Sequence, residues 1–224
     1  MKPLIVAIDG PAGAGKSTVA RGLAQRLGIS YIDTGAMYRA VGLAARERGF
    51  SLPLSNPDAV ADLAAGLAIA LEPGPDGARV SLDGRDVSQE IRQPEISLYA
   101  SAVSAIPGVR RGLVVLQQRL GRQSGGVLEG RDIGTRVFPE TPHKFFLTAS
   151  PAIRAQRRTA ELQQRGTPRP FEEVLAEIEK RDKDDSTRAE SPLTMDATYT
   201  VVDTSGRTIG SVIDQLERLV RDRI

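Results

Sequence analysis

An apolar run at residues 4–9 ends in Asp9 and passes without a spacer into Gly10, Pro11, Ala12, Gly13, Ala14, Gly15, Lys16, Ser17 and Thr18. No other stretch constrains the fold as tightly. Gly10, Gly15, Lys16 and Ser17 satisfy the pattern G-x-x-x-x-G-K-[ST], and the pattern sits between an unbroken apolar strand and a helix expected over 17–27. Glycines let backbone N–H groups turn toward one point, the helix N-terminus adds partial positive charge, and Lys16 adds a full one. Such a loop holds nucleotide phosphates. Lys16 is expected on the β- and γ-phosphates of ATP, and the Ser17 hydroxyl on Mg²⁺.

Strand and helix signals alternate along the rest of the chain, which argues for a parallel sheet covered on both faces. Further core strands are expected at 29–33, 127–129, 144–147 and 199–203. Helices are expected at 35–48, from Asn56-Pro57 to about 66, at 94–105, from 109 onward, from Ser150-Pro151 to 164, at 171–187 and at 208–223. The last of these shows Ile209, Ile213, Leu216 and Val220 on one face. Between 67 and 87, three short strands form a small antiparallel insert, with Asp83-Gly84 as a hairpin signal and Pro73, Gly74, Pro75 and Gly77 in the first connection.

The chain has 224 residues and no cysteine, so disulfides, thiolate metal sites and Cys nucleophiles are excluded. Formal net charge is only +2, and no strong field for nucleic acid is expected. The N-terminal apolar run is too short for a signal-peptide core, and no stretch is long enough to span a membrane. A cytoplasmic monomer acting on small molecules, without nucleic acid or membrane partners, is the expectation. Of 30 basic residues only Lys2, Lys16, Lys144, Lys180 and Lys183 are Lys. The excess of Arg, whose planar fork binds phosphate bidentately, matters only where position supports it.

Three positions do. Arg39 lies where the second strand hands over to a helix; a phosphate-binding Arg and a solvent-facing Arg behind a Thr34 cap fit that pattern equally well. The tripeptide Gly-Arg-Asp occurs at 84–86, on the hairpin turn, and again at 130–132, past the C-terminal end of a core strand. Ligands of open α/β sheets bind at such ends, so Arg131 and Asp132 carry the functional reading. In the helix at 171–187, Val174, Ile178, Arg181, Asp185 and Arg188 follow one stripe that starts apolar and ends charged. A helix whose first half packs on the core and whose second half enters a cleft accounts for it; an exposed Arg181–Asp185 pair is the alternative.

The segments IDGPAGAGKST, DTGAMYR, EGRDIGTRVFP and RDKDDSTRAESPL, in this order over nearly the whole chain, resemble the bacterial cytidylate kinase family. The resemblance implies a three-layer α/β P-loop kinase fold with a five-stranded parallel sheet, a small antiparallel insert and a short helical lid. It implies a single kinase domain with its core at 1–35, 88–150 and 189–224, a monophosphate-binding insert at about 36–87, and the lid and following helix at about 151–188. It implies transfer of the ATP γ-phosphoryl group to CMP or dCMP with Mg²⁺. Thr34, Tyr38 and Arg39 then belong to the acceptor site. Ser101, Arg110 and Asp132 would read cytosine, with the carboxylate accepting from the N4 amino group and Arg donating to the ring acceptors. Arg131 and Arg188 fall to the phosphates, Arg181 and Asp185 to the ribose. Arg154, Arg157 and Arg158 lie on the lid, with Arg158 carried as the catalytic cation beside Lys16, Arg131 and Arg188.

Glu129 stands where the family often has Asp, and its extra methylene argues against a water-linked role at Mg²⁺. His143, the lone histidine, is read as structural. The only Asn, Asn56, is followed by Pro57, which removes the usual guanine reader of a GTPase. Two other classes fit a P-loop: a kinase of another small acceptor (UMP, AMP or a hydroxy acid) and a nucleotide-dependent binding protein.

Overall fold

The computed structural model describes residues 3–72 and 79–224. The expected connection through Pro73, Gly74, Pro75 and Gly77 lies outside them. Five parallel strands form the main sheet: β1 (Ile5–Asp9), β2 (Tyr31–Asp33), β6 (Gly126–Gly130), β7 (His143–Thr148) and β8 (Thr200–Asp203), in the spatial order β2-β6-β1-β7-β8. The order places β1 in the middle, with Ile8 opposite Glu129 of β6 on one side and Phe145 of β7 on the other. Val6, Ala7 and Ile8 are fully buried, which is why this strand reads as an uninterrupted apolar run rather than an alternation.

One face is covered by α1 (Lys16–Leu27) and α8 (Ile209–Arg221), whose Val19, Leu23, Val212 and Leu216 pack on Phe145 and Leu147. The other is covered by α2 (Thr34–Glu47), α4 (Pro94–Ser104) and α5 (Pro107–Ser124), packed on Ala7, Ile32 and Leu128. The result is the three-layer α/β architecture the alternating signals call for. β3 (Ile69–Glu72), β4 (Arg79–Leu82) and β5 (Arg85–Asp86) form the separate antiparallel sheet. Asp83 and Gly84 take φ of 51° and 82°, the conformation of a two-residue hairpin turn. The first Gly-Arg-Asp copy is structural: Arg85 pairs with Glu47 and Asp86 with Arg79 on the surface. Asn56 caps α3 (Pro57–Gly66) and Ser150 caps α6 (Pro151–Gln164), both by accepting from the third backbone N–H onward. Among the described residues no helix is long and apolar enough to cross a membrane.

Three expectations are corrected, and one element was not anticipated. Ile209, the first residue of α8, is 53% exposed; the buried stripe of the helix runs through Val212, Ile213, Leu216 and Val220. The apolar start of α7 (Phe171–Thr187) does not pack on the main core. Val174 and Ile178 meet Ala155 and Leu162 of α6 in a small cluster of their own. α2 begins one residue earlier than expected, with Asp33 rather than Thr34 as its cap. A short π-helical turn at Ile133–Val137 follows β6, where no periodicity announces it.

Candidate active site

All five parallel strands deliver their C-terminal ends to one edge of the sheet, and the chemistry-bearing residues follow those ends. The loop after β1 turns through Gly15 at φ 87°, a conformation that favours glycine. Two of its carbonyls are held from outside. Arg154 donates to Ala12 O (3.0 Å) and the Thr204 hydroxyl to Ala14 O (3.2 Å). In a planar trans peptide the following N–H points the opposite way, so the N–H groups of Gly13 and Gly15 face the nest. Lys16 is buried and donates to Pro11 O at 2.8 Å. Burial, with Arg131 and Arg181 adding to it, lowers its ammonium to about 7.

Beside Lys16 stands Glu129, at the end of β6 and buried. Tyr31 donates to its carboxylate at 2.5 Å, and the Ser17 hydroxyl lies within its reach. Burial first, then the neighbouring Asp33, pushes the Glu129 carboxyl above its ordinary range. The role withheld from Glu129 on side-chain length is therefore geometrically open. Thr34 donates to Glu129 O at 2.6 Å, tying α2 to β6. Among the described residues no three His, Asp or Glu side chains cluster to hold a metal by themselves.

Facing the loop is a basket of guanidiniums. Arg39 pairs with Asp33 (2.8 Å), whose other oxygen caps α2. Arg110 and Asp132 form an ion pair at 2.5 Å with side chains 2% and 6% exposed, and the Arg110 guanidinium lies 5.3 Å from the centre of the Tyr38 ring. Asp185 accepts from Arg131 (2.8 Å) and Arg188 (3.2 Å). Burial opposes its charge, but Arg131, Arg181 and Arg188 outweigh burial and hold the carboxyl below its usual value. Arg181 is lowered by burial and by the repulsion of Arg131, Arg39 and Arg158. Arg188 is lowered by burial and by Arg110. Several buried donors have no partner among the described residues: Arg39 Nε, Arg110 Nε, Arg181 Nε, Arg188 Nη2 and the Tyr38 hydroxyl. Unmet buried donors on mutually repelling cations are what a bound polyanion relieves.

Ser101 lies less centrally. Its carbonyl accepts from Ser104, and Ser104 O accepts from Arg110. The three Arg of α6 separate clearly. Arg154, expected on a mobile lid, is buried and committed: it donates to Ala149 O and Ala12 O and bidentately to Asp182 of α7. Arg157 donates to Thr204. Arg158 is the half-buried one left least committed, paired among the described residues with Glu161 of its own helix. Sequence reasoning missed Asp9, Gln117 and Thr204, all buried beside this edge. Asp9 carried a signal, as a charge closing an otherwise apolar strand. The other two carried none.

A model of the family described as Cytidylate kinase matches residues 6–222. The chain is 45% identical over 225 residues to the cytidylate kinase of Solibacter usitatus, covering 100% of this chain and 94% of that protein. It is 48% identical over 223 residues to the bifunctional pantoate ligase/cytidylate kinase of a Synechococcus strain. That match covers 98% of this chain and spans only 41% of the relative's length. A solved structure from Eubacterium ventriosum shares the fold at 13% identity, with a TM-score of 0.54 and coverage of 97% and 98% of the two chains.

Proposed function

The chain belongs to the cytidylate kinase family, and from that membership we propose that it transfers the γ-phosphoryl group of ATP to CMP or dCMP, giving ADP and CDP or dCDP. The observation that carries the reading is the set of unpartnered buried donors on Arg39, Arg110, Arg181, Arg188 and Tyr38 opposite Lys16. A second phosphate site next to a P-loop is what a nucleotide kinase needs. Arg110 and Asp132 offer fixed donors beside a fixed acceptor, the complement of cytosine; uracil would set a carbonyl against the Asp132 carboxylate. Ser101 belongs to the same base pocket, Thr34 and Tyr38 to its wall, and Arg181 and Asp185 to the ribose.

Transfer is in line. A phosphate oxygen of CMP attacks Pγ, the bond from Pγ to the β-phosphate oxygen breaks, and the charge passes to ADP. The attacking oxygen is already anionic, so no strong base is required. Lys16, Arg131, Arg188 and Arg158 supply cationic stabilisation of the transferred group. Ser17 and Glu129 suit Mg²⁺: a buried carboxyl whose proton affinity is raised beside a hydroxyl is relieved by a divalent cation. Bound Mg²⁺ would neutralise phosphate charge. The insert at 36–87 serves the acceptor side, 151–188 closes over the phosphates, and the protein works as a cytoplasmic monomer. A coupled ADP-release assay with CMP, dCMP, UMP, AMP and no acceptor tests the proposal. Saturable release with CMP and dCMP is expected; equal turnover of UMP, or ATPase indifferent to every acceptor, overturns it.

A further inference from the structure

Asp132 presents a conflict between its backbone and its side chain. Its main chain occupies the N-cap position of the Ile133–Val137 turn, and its carbonyl accepts from Arg136 N (2.8 Å) and Val137 N (3.2 Å). An Asp at such a position ordinarily folds its own carboxylate back onto the first free N–H groups of the turn. Here it makes no such bond; its carboxylate reaches Arg110 instead.

The free N–H groups are taken by another residue. Asp9, fully buried at the end of β1, accepts from Ile133 N on Oδ1 (2.9 Å) and from Gly134 N on Oδ2 (2.8 Å), with the Tyr199 hydroxyl donating to Oδ2 at 2.7 Å. Asp9 belongs to no ion pair among the described residues, and the mechanism above gives it no contact with substrate. A buried carboxylate with no cation is costly unless donors surround it, and these three donors are its compensation. The approach is close by construction: a Cβ on Gly134 would lie 2.6 Å from the Tyr199 hydroxyl.

We propose that Asp9 is a positioning residue for acceptor selection, capping the Ile133–Val137 turn from a neighbouring strand and so releasing the Asp132 carboxylate to face Arg110 and the base. This rests on the CMP-kinase reading. Without the Asp9 cap, the Asp132 carboxylate is drawn to its own turn and away from Arg110, and the discrimination between an amino group and a carbonyl on the pyrimidine is lost.

The test is kcat/KM for CMP and UMP, and KM for ATP, in the wild type, Asp9→Asn, Asp132→Asn and the double variant. Asn keeps the shape of Asp9 but has one acceptor oxygen and turns an amide donor toward a donor. Asp9→Asn should lower the CMP/UMP ratio by about tenfold or more, chiefly through KM for the acceptor, and move KM for ATP by less than about threefold. In the Asp132→Asn background it should cause no further loss of selectivity, since the carboxylate it frees is gone; a general packing defect would still be felt. Gly134→Ala, whose Cβ would lie 2.6 Å from the Tyr199 hydroxyl and so must displace that donor or the turn itself from Asp9 with the charge intact, is the second arm and should lower the ratio likewise; it decides the matter should Asp9→Asn fail to fold. A wild type without CMP-dependent ADP release overturns the kinase reading and this proposal with it. A CMP-selective wild type whose variants keep the ratio within about twofold overturns this proposal alone.

Discussion

Asp132→Asn converts one member of a buried ion pair into a neutral isostere and leaves the other charged. In the unliganded protein Arg110 would lose its ion-pair partner and keep Ser104 O at 3.3 Å, the Tyr38 ring and the neutral Asn oxygen, with Arg188 repelling it. At ~4 Å and an effective dielectric of ~20 the lost attraction is ~4 kcal/mol. The Asn oxygen can still accept from Arg110 and returns ~1 kcal/mol. The remainder, ~3 kcal/mol, falls at the low end for breaking a buried pair. For a chain of this size that corresponds to a Tm lower by ~6–12 °C. Thermal unfolding by circular dichroism, without nucleotide, reads it directly. The internal comparison is Glu95→Gln, which breaks the Arg46–Glu95 pair at 2.9 Å, with side chains 29% and 57% exposed. Water screens that pair, and its loss should move Tm by less than ~2 °C. Equal shifts in the two variants would refute the argument that burial, rather than contact distance, sets the strength of these pairs.

Lys16 titrates near 7 in the free protein, well below 10.5, so its neutral form dominates above neutral pH. ATP phosphates favour the ammonium and raise it again, so binding makes Lys16 take up a proton increasingly as pH rises through 7. Calorimetry in buffers of different ionisation enthalpy measures the uptake; Lys16→Arg should abolish it, and an uptake equal at pH 6 and pH 8 would discard the account. On α6, Arg158→Met should lower kcat by ~10²-fold or more with Tm nearly unchanged, because among the described residues Arg158 pairs with no carboxylate but Glu161, across a solvent-screened contact. Arg154→Met should instead lower Tm, by stripping Asp182 and the Ala12 carbonyl of their donor; reversed outcomes would exchange the two roles.

What the sequence made legible is what local chemistry determines. The strand–loop–helix at the N-terminus, the starts of α3 and α6 at Asn56-Pro57 and Ser150-Pro151, and the Asp83-Gly84 turn each follow from two or three adjacent residues. The charged end of the α7 stripe was legible too, since Arg181, Asp185 and Arg188 do gather beside Arg131. What stayed hidden depends on partners far along the chain. The turn at Ile133–Val137 is held by Asp9, 124 positions earlier in the case of Ile133. Arg154 looked like any Arg of a basic helix; only the approach of Ala12 and Asp182 buries it. Ile209 continued the α8 stripe on paper, and nothing local reveals that the helix's first residue is left exposed.

The Thr204 bond to Ala14 and the Tyr199 bond to Asp9 each bridge 190 residues, from the last strand back to the first. During synthesis β1 and α1 leave the ribosome long before β8 exists. The nascent chain then carries the nucleotide motif as a string of residues without the docking that turns its N–H groups inward. ATP, which stabilises only what it can bind, can favour folding only once the C-terminal strand has seated. Nucleotide affinity would therefore arise late and abruptly in biogenesis, as a report that the segments around β1 and β8 have met.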